Sequence, residues 1–205
     1  MELPIFPDDW RPEGWRPSIS EKAWTSSTIS IGDNLAGLLS ARHRPSWDET
    51  WMAVADAVAL RSPCARRRIG AVIVDPTNRP ISTGYNGPPA GFVREADSNC
   101  RSWCARAQAG AQPSQTYEGC PSIHAEANAL LFADRRDFNG GTLYVTSAPC
   151  WDCGKLVSNS GIKRVVTRLD EKKDSHRDPH KTLQFLDDCG LEFTIWENER
   201  QKHGD

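Results

Sequence analysis

Two short segments constrain this chain more than any other feature: His124-Ala125-Glu126 and Pro149-Cys150-Trp151-Asp152-Cys153. Each stands at the start of a predicted helix, where unpaired backbone N–H groups and the positive dipole end lower the cost of holding thiolates. One imidazole and two thiolates make three ligands for a tetrahedral zinc, and the fourth position stays open to water. Zinc lowers the pKa of such a water from ~15.7 to about 7. Glu126, two residues from His124, is expected to carry protons between that water and a substrate rather than to bind metal. A Cys-x-x-Cys alone also suits a redox pair or half of a structural zinc site. The Pro149 before it and the upstream His-x-Glu favour a catalytic zinc.

The rest of the chain is expected to build an α/β domain around these segments. Ser46-Trp47-Asp48-Glu49 fits a capping box, followed at helical spacing by Trp51, Val54 and Val58. Ile69 to Val74 and Pro80 to Tyr85 read as a hairpin around the Asp75-Pro-Thr-Asn78 turn. Helices are expected over 123–134, 150–160 and 182–188, and strands over 142–146, 163–167 and 191–196. Strands alternating with helices indicate a layered domain with parallel pairs. Its expected extent is 46–205. Residues 1–45 carry Pro4, Pro7, Pro12 and Pro17 with Trp10, Trp15 and Trp24, and read as a Pro/Trp-rich arm: either a disordered tail or, as the tryptophans favour, an arm packed on the core or a neighbouring subunit.

Composition narrows the partners. The formal net charge is −2 over 205 residues, without the basic excess that proteins wrapping nucleic acid use to displace counterions. A small-molecule substrate is expected, and nucleic acid is not. No apolar run approaches the ~20 residues that span a bilayer, and the start of the chain lacks signal-peptide character, so a cytoplasmic protein without membrane contact is expected. Seven cysteines cannot all pair internally, and in that compartment disulfides are rare, so metal binding is the better reading.

Ile123-His-Ala-Glu-Ala-Asn-Ala-Leu-Leu131 and Leu143-Tyr-Val-Thr-Ser-Ala-Pro-Cys-Trp-Asp-Cys153 resemble the cytidine/deoxycytidylate deaminase superfamily, whose zinc nucleobase deaminases carry H-x-E…P-C-x-x-C. Ile69 to Val74, Ser82-Thr-Gly-Tyr-Asn-Gly-Pro-Pro-Ala-Gly-Phe92 and Ser160-Gly-Ile-Lys-Arg-Val165 look like its deoxycytidylate branch. The resemblance runs from about Trp47 to Trp196. It implies a three-layer α-β-α cytidine-deaminase-like fold with a mixed five-stranded sheet. It implies zinc held by His124, Cys150 and Cys153, with Glu126 as proton shuttle, in hydrolytic deamination of deoxycytidylate. The alternatives are a C5-modified deoxycytidylate, a free nucleoside or a base in RNA, or, from another class, a dead zinc-binding scaffold.

The resemblance also implies substrate contacts. Asn86, in the Gly84-Tyr85-Asn86-Gly87 turn, would bond a sugar hydroxyl; a plain Asn-Gly turn is the alternative. Phe132 would contact the ring and Arg135 the phosphate; a plain exposed surface arginine is the alternative. On a continuous helix, eleven residues bring Arg135 back to within about 20° of the face of His124. An aromatic after the fourth strand is missing from Asp170-Glu-Lys-Lys-Asp-Ser-His-Arg-Asp-Pro179, where His176 or Arg177 would substitute. Cys64, Cys100, Cys104 and Cys120 would hold a second, structural zinc that keeps the long 86–121 connection ordered, with free cysteines as the alternative. Cys189 is expected in the core, and His43, His176, His180 and His203 in solvent. A deoxycytidine or thymidine triphosphate effector, bound with Mg2+, and a homo-oligomer, hexamer or dimer, complete the implications.

Overall fold

A computed structural model describes residues 44–92, 100, 104, 108, 110, 120–170 and 178–197. The arm up to residue 43, with its tryptophans and His43, lies outside the described residues. So do most of the 93–119 connection, residues 171–177 with His176 and Arg177, and His203.

Helix α1 spans Trp47–Ala59, and its capping box is complete: Glu49 N–H donates to Ser46 Oγ at 3.2 Å and Ser46 N–H to Glu49 Oε2 at 2.8 Å. Strands β1 (Gly70–Val74) and β2 (Pro80–Tyr85) form the expected hairpin. Then come α2 (Ala125–Leu131), α3 (Arg135–Phe138), β3 (Thr142–Val145), α4 (Trp151–Ser160), β4 (Arg164–Thr167), α5 (Pro179–Asp188) and β5 (Glu192–Ile195). The sheet order is β2-β1-β3-β4-β5; β1 pairs antiparallel with β2 and β3, while β3-β4 and β4-β5 are parallel. This is the mixed five-stranded sheet the sequence leads one to expect.

Every residue of β1 is buried because helices cover both faces. On one face Trp51, Met52 and Ala55 of α1 pack on Val72, Val74, Tyr144 and Val166. On the other, Ala125, Ala129, Val157, Leu183 and Leu186 of α2, α4 and α5 pack on Ala71, Ile73, Leu143, Val145 and Val165. Two ion pairs fasten α1 to the sheet. Asp48 takes both guanidinium arms of Arg164 (2.8 and 2.7 Å) and the Tyr144 hydroxyl (2.8 Å). Asp56 takes Arg168, whose guanidinium also lies 4.8 Å from the Trp196 ring centroid.

The expected helix over 123–134 is corrected. It ends at Leu131, Phe132 leaves helical geometry (φ −102°, ψ 17°), and Asp134 caps the new helix α3 by accepting Arg136 N–H at 2.9 Å. Cys189 is corrected too: it follows the last turn of α5 and is exposed, not core. His180 is exposed as expected. Among the described residues no helix is long and apolar enough to cross a membrane.

Candidate metal and catalytic site

Strands β1, β2 and β3 are antiparallel neighbours, so the end of β3, the end of β2 and the start of β1 share one edge of the sheet. Both motifs lie there. His124 is the N-cap of α2 and Cys150 the N-cap of α4, each in extended conformation, and neither side chain closes its own helix end. They turn toward each other instead. His124 Nδ1 lies 3.4 Å from Cys150 Sγ and 3.4 Å from Cys153 Sγ. Zinc at ordinary bond lengths with tetrahedral angles places a nitrogen and a sulfur ligand about 3.5 Å apart, so the residues fit the ion. Among the described residues this is the one set of three or more donor groups whose atoms all lie within 4.8 Å of one another.

The two thiols are pushed in opposite directions. The hydrogen bond from Cys153 holds the Cys150 thiol well below its usual range, at about 4, with His124 adding to this against the opposing burial. Cys153 moves the other way: its bond to Cys150, its burial and the nearby Glu126 push it up. Glu126 is only 4% exposed, in the first turn of α2, close enough to Cys153 to perturb it. Glu126 is thus a buried carboxylate beside this donor set, yet outside it.

Asn86 lies at the same edge, but its carboxamide already braces the protein. Oδ1 accepts Ile69 N–H at 2.7 Å and Nδ2 donates to the Arg67 carbonyl at 2.9 Å. One amide hydrogen and one lone pair of the carboxamide lie beyond these two bonds. Phe132 and Arg135 are not brought to the site. Phe132 is 81% exposed, and the Arg135 Nε lies beside Gly161 and Asn139, ahead of β3 and β4, at the opposite edge. The end of the helix at Leu131 removes the helical register that would have set Arg135 under His124.

The four remaining cysteines of interest gather beside the Asn86 turn in two pairs, Cys64 with Cys100 and Cys104 with Cys120. Burial pushes Cys100 and Cys120 up, and the neighbouring thiols add to this. Cys100 Sγ accepts Ala65 N–H at 3.1 Å. The spacing is looser than in the His124 set, because no three of these thiols meet within 4.8 Å. Sequence reasoning passed over Arg66, Arg67 and Arg68, which lie between Cys64 and β1 at this same edge; an uninterrupted cationic triplet was the available signal.

Three protein donors that leave a fourth position open, with a buried carboxylate beside them, are the arrangement of a catalytic rather than a closed structural metal site. Residues 45–169 match the model of the cytidine and deoxycytidylate deaminase zinc-binding region. Over 128 residues the chain is 48% identical to the deoxycytidylate deaminase of Mycobacterium phage D29, covering 60% of this chain and 94% of that one. Over 154 residues it is 41% identical to the deoxycytidylate deaminase of Schizosaccharomyces pombe, covering 74% of this chain but 44% of that one. The fold is also that of the dCMP deaminase from the cyanophage S-TIM5, with a TM-score of 0.54 at 24% identity over 75% of this chain and 100% of that one. The chain belongs to the cytidine and deoxycytidylate deaminase family.

Proposed function

We propose that this chain hydrolyses the 4-amino group of deoxycytidylate, giving deoxyuridylate and ammonia. The observation that carries the reading is the convergence of His124, Cys150 and Cys153 with buried Glu126 alongside. The deoxycytidylate assignment is supported by the 48% identical phage relative.

Zinc held by His124, Cys150 and Cys153 would supply a Lewis acid that brings water ionisation near neutral pH. Glu126 accepts the first proton of the attacking water and gives it to the ring nitrogen N3. It then takes the second proton, from the hydroxyl now bonded to C4, and gives it to the departing amine, which leaves as ammonia while the C4 carbonyl forms. One carboxylate can serve each transfer because it is buried, and so competes with little solvent. The amine needs acceptors. In the Thr146–Pro149 segment two N–H groups are already used, Thr146 on Gly70 and Ala148 on Arg168, so the carbonyls of this segment are assigned to it. Asn86 offers its remaining donor and acceptor to the sugar.

A second zinc on Cys64, Cys100, Cys104 and Cys120 is part of the proposal, supported by the pairwise approach of these thiols. A homo-oligomer is also part of it, supported by exposed Leu131 (69%) and Phe132 at the end of α2. Phe132 and Arg135 can then serve a nucleotide only in a neighbouring copy. A nucleoside triphosphate effector with Mg2+ enters on the resemblance alone. The test of the reading is ammonia release from deoxycytidylate that is abolished by chelation and restored by zinc; turnover indifferent to chelation overturns it.

A further inference from the structure

Three consecutive arginines, Arg66, Arg67 and Arg68, occupy the connection between α1 and β1. The connection that carries them is held on both sides, at the Arg67 carbonyl, Ile69 and Gly70, by segments that lead to the zinc motifs. Toward β3, Gly70 N–H donates to Thr146 Oγ1 at 3.1 Å and Thr146 N–H donates back to the Gly70 carbonyl at 3.0 Å. Thr146 is four residues from Cys150. Toward β2, Asn86 grips the Arg67 carbonyl and the Ile69 N–H. Gly87, next to Asn86, exchanges two backbone bonds of 3.1 and 2.8 Å with Ile123, the neighbour of His124. The arginine run is therefore fixed at the mouth of the site by bonds to both of its halves.

The side chains of Arg66 and Arg68 are exposed and make no ion pair among the described residues. Two other described cations near this edge are engaged. Arg168 is held by Asp56 and Trp196, and Lys181 lies 5.8 Å from the ring centroid of Trp151. Three like charges in succession on a clamped backbone repel one another, and a nearby anion relieves this. The carbonyl end of α1 offsets part of the repulsion, but it does not explain two guanidinium groups without an ion pair among the described residues beside the His124 site.

We propose that Arg66 and Arg68 grip the phosphate of the substrate and so make the chain a nucleotide deaminase rather than a nucleoside deaminase. Guanidinium groups suit this because their fixed fork of N–H donors matches two phosphate oxygens at once. The proposal rests on the deaminase reading above and names the determinant of its substrate class.

The test compares kcat/KM for deoxycytidylate with that for deoxycytidine, with no triphosphate present, so that any phosphate effect belongs to the substrate. In Arg66→Ala/Arg68→Ala the ratio should fall ten-fold or more, chiefly through the KM for deoxycytidylate. Arg66→Lys/Arg68→Lys should recover part of it, since a point charge replaces the fork. An unchanged ratio, or an equal loss on both substrates, overturns the proposal and leaves the deaminase reading in place. A wild-type chain that turns over neither substrate removes that reading, and this proposal with it.

Discussion

Gly84 of β2 and Ala125 of α2 meet backbone to backbone: a β-carbon on Gly84 would stand inside contact distance of the Ala125 carbonyl oxygen and of Ala129 N. The helix that carries His124 and Glu126 is thus seated on a bare stretch of strand. Neither partner is a side chain that can swing away, so Gly84→Ala must push α2 off the sheet. Overpacking costs about 1–3 kcal/mol, and the upper end is expected here. Thermal unfolding should fall by several degrees, and turnover should fall more than the folded fraction does. A variant with unchanged melting and activity would contradict this close packing.

Glu126→Gln should retain zinc and substrate binding while losing turnover. General acid–base catalysis alone contributes about 10² to 10⁴ in rate, and a carboxylate used for several transfers belongs at the top of that range. His124→Ala should differ in kind, losing the metal with the activity. Metal analysis beside kinetics separates the two. Glu126→Gln protein without zinc, or with more than about a tenth of its activity, would contradict the division of roles.

The thiol pairs lead to a stoichiometry. Intact protein should bind two zinc ions per chain, and Cys100→Ser should bind one while keeping the His124 site. The variant should also melt at lower temperature, because metal binding contributes directly to folding. One zinc per intact chain would remove the second site.

The Asp48–Arg164 pair sets an acid limit on stability. Hydrogen bonds from Arg164 hold the Asp48 carboxyl below its ordinary value of 3.8, against the opposing burial and with help from Tyr144. The unfolded chain therefore takes up the proton first as pH falls. The stabilisation is complete above the unfolded value and is lost as pH falls through the folded one. The side chains are 29% and 26% exposed, so the pair lies between surface pairs worth about 0–1 kcal/mol and buried ones whose disruption costs about 3–5 kcal/mol. Asp48→Asn should cost roughly 1–3 kcal/mol at pH 7, and the difference from wild type should shrink below about pH 4. Denaturant titrations across pH 3–7 check this; a gap that widens in acid would contradict it.

The parts of this molecule legible in its sequence are those written in short spacings. His-x-Glu and Cys-x-x-Cys place their ligands within a helical turn, and Ser46 with Glu49 closes a capping box without help from the rest of the fold. The break after Leu131 was harder to see, because Phe132 and Ala133 continue an apolar helical pattern. Asp134 was its one local sign, as the acceptor that starts α3. The same break takes Arg135 out of the register with His124 that a continuous helix would give. The part played by Asn86 in bracing Arg67 and Ile69 depends on a connection some twenty residues upstream. The Asp48–Arg164 and Asp56–Arg168 pairs each span more than a hundred residues. No periodicity reports such contacts; only the closed sheet brings them together.

The central claim is the substrate and the chemistry at the His124, Cys150 and Cys153 site. Turnover of deoxycytidylate, deoxycytidine and cytidine by the zinc-loaded chain, followed as ammonia release with the product identified, tests it most directly. Deoxyuridylate is expected from deoxycytidylate at a kcat/KM at least ten-fold above either nucleoside. A nucleoside turned over as well as the nucleotide, or no ammonia from any of the three, would contradict it.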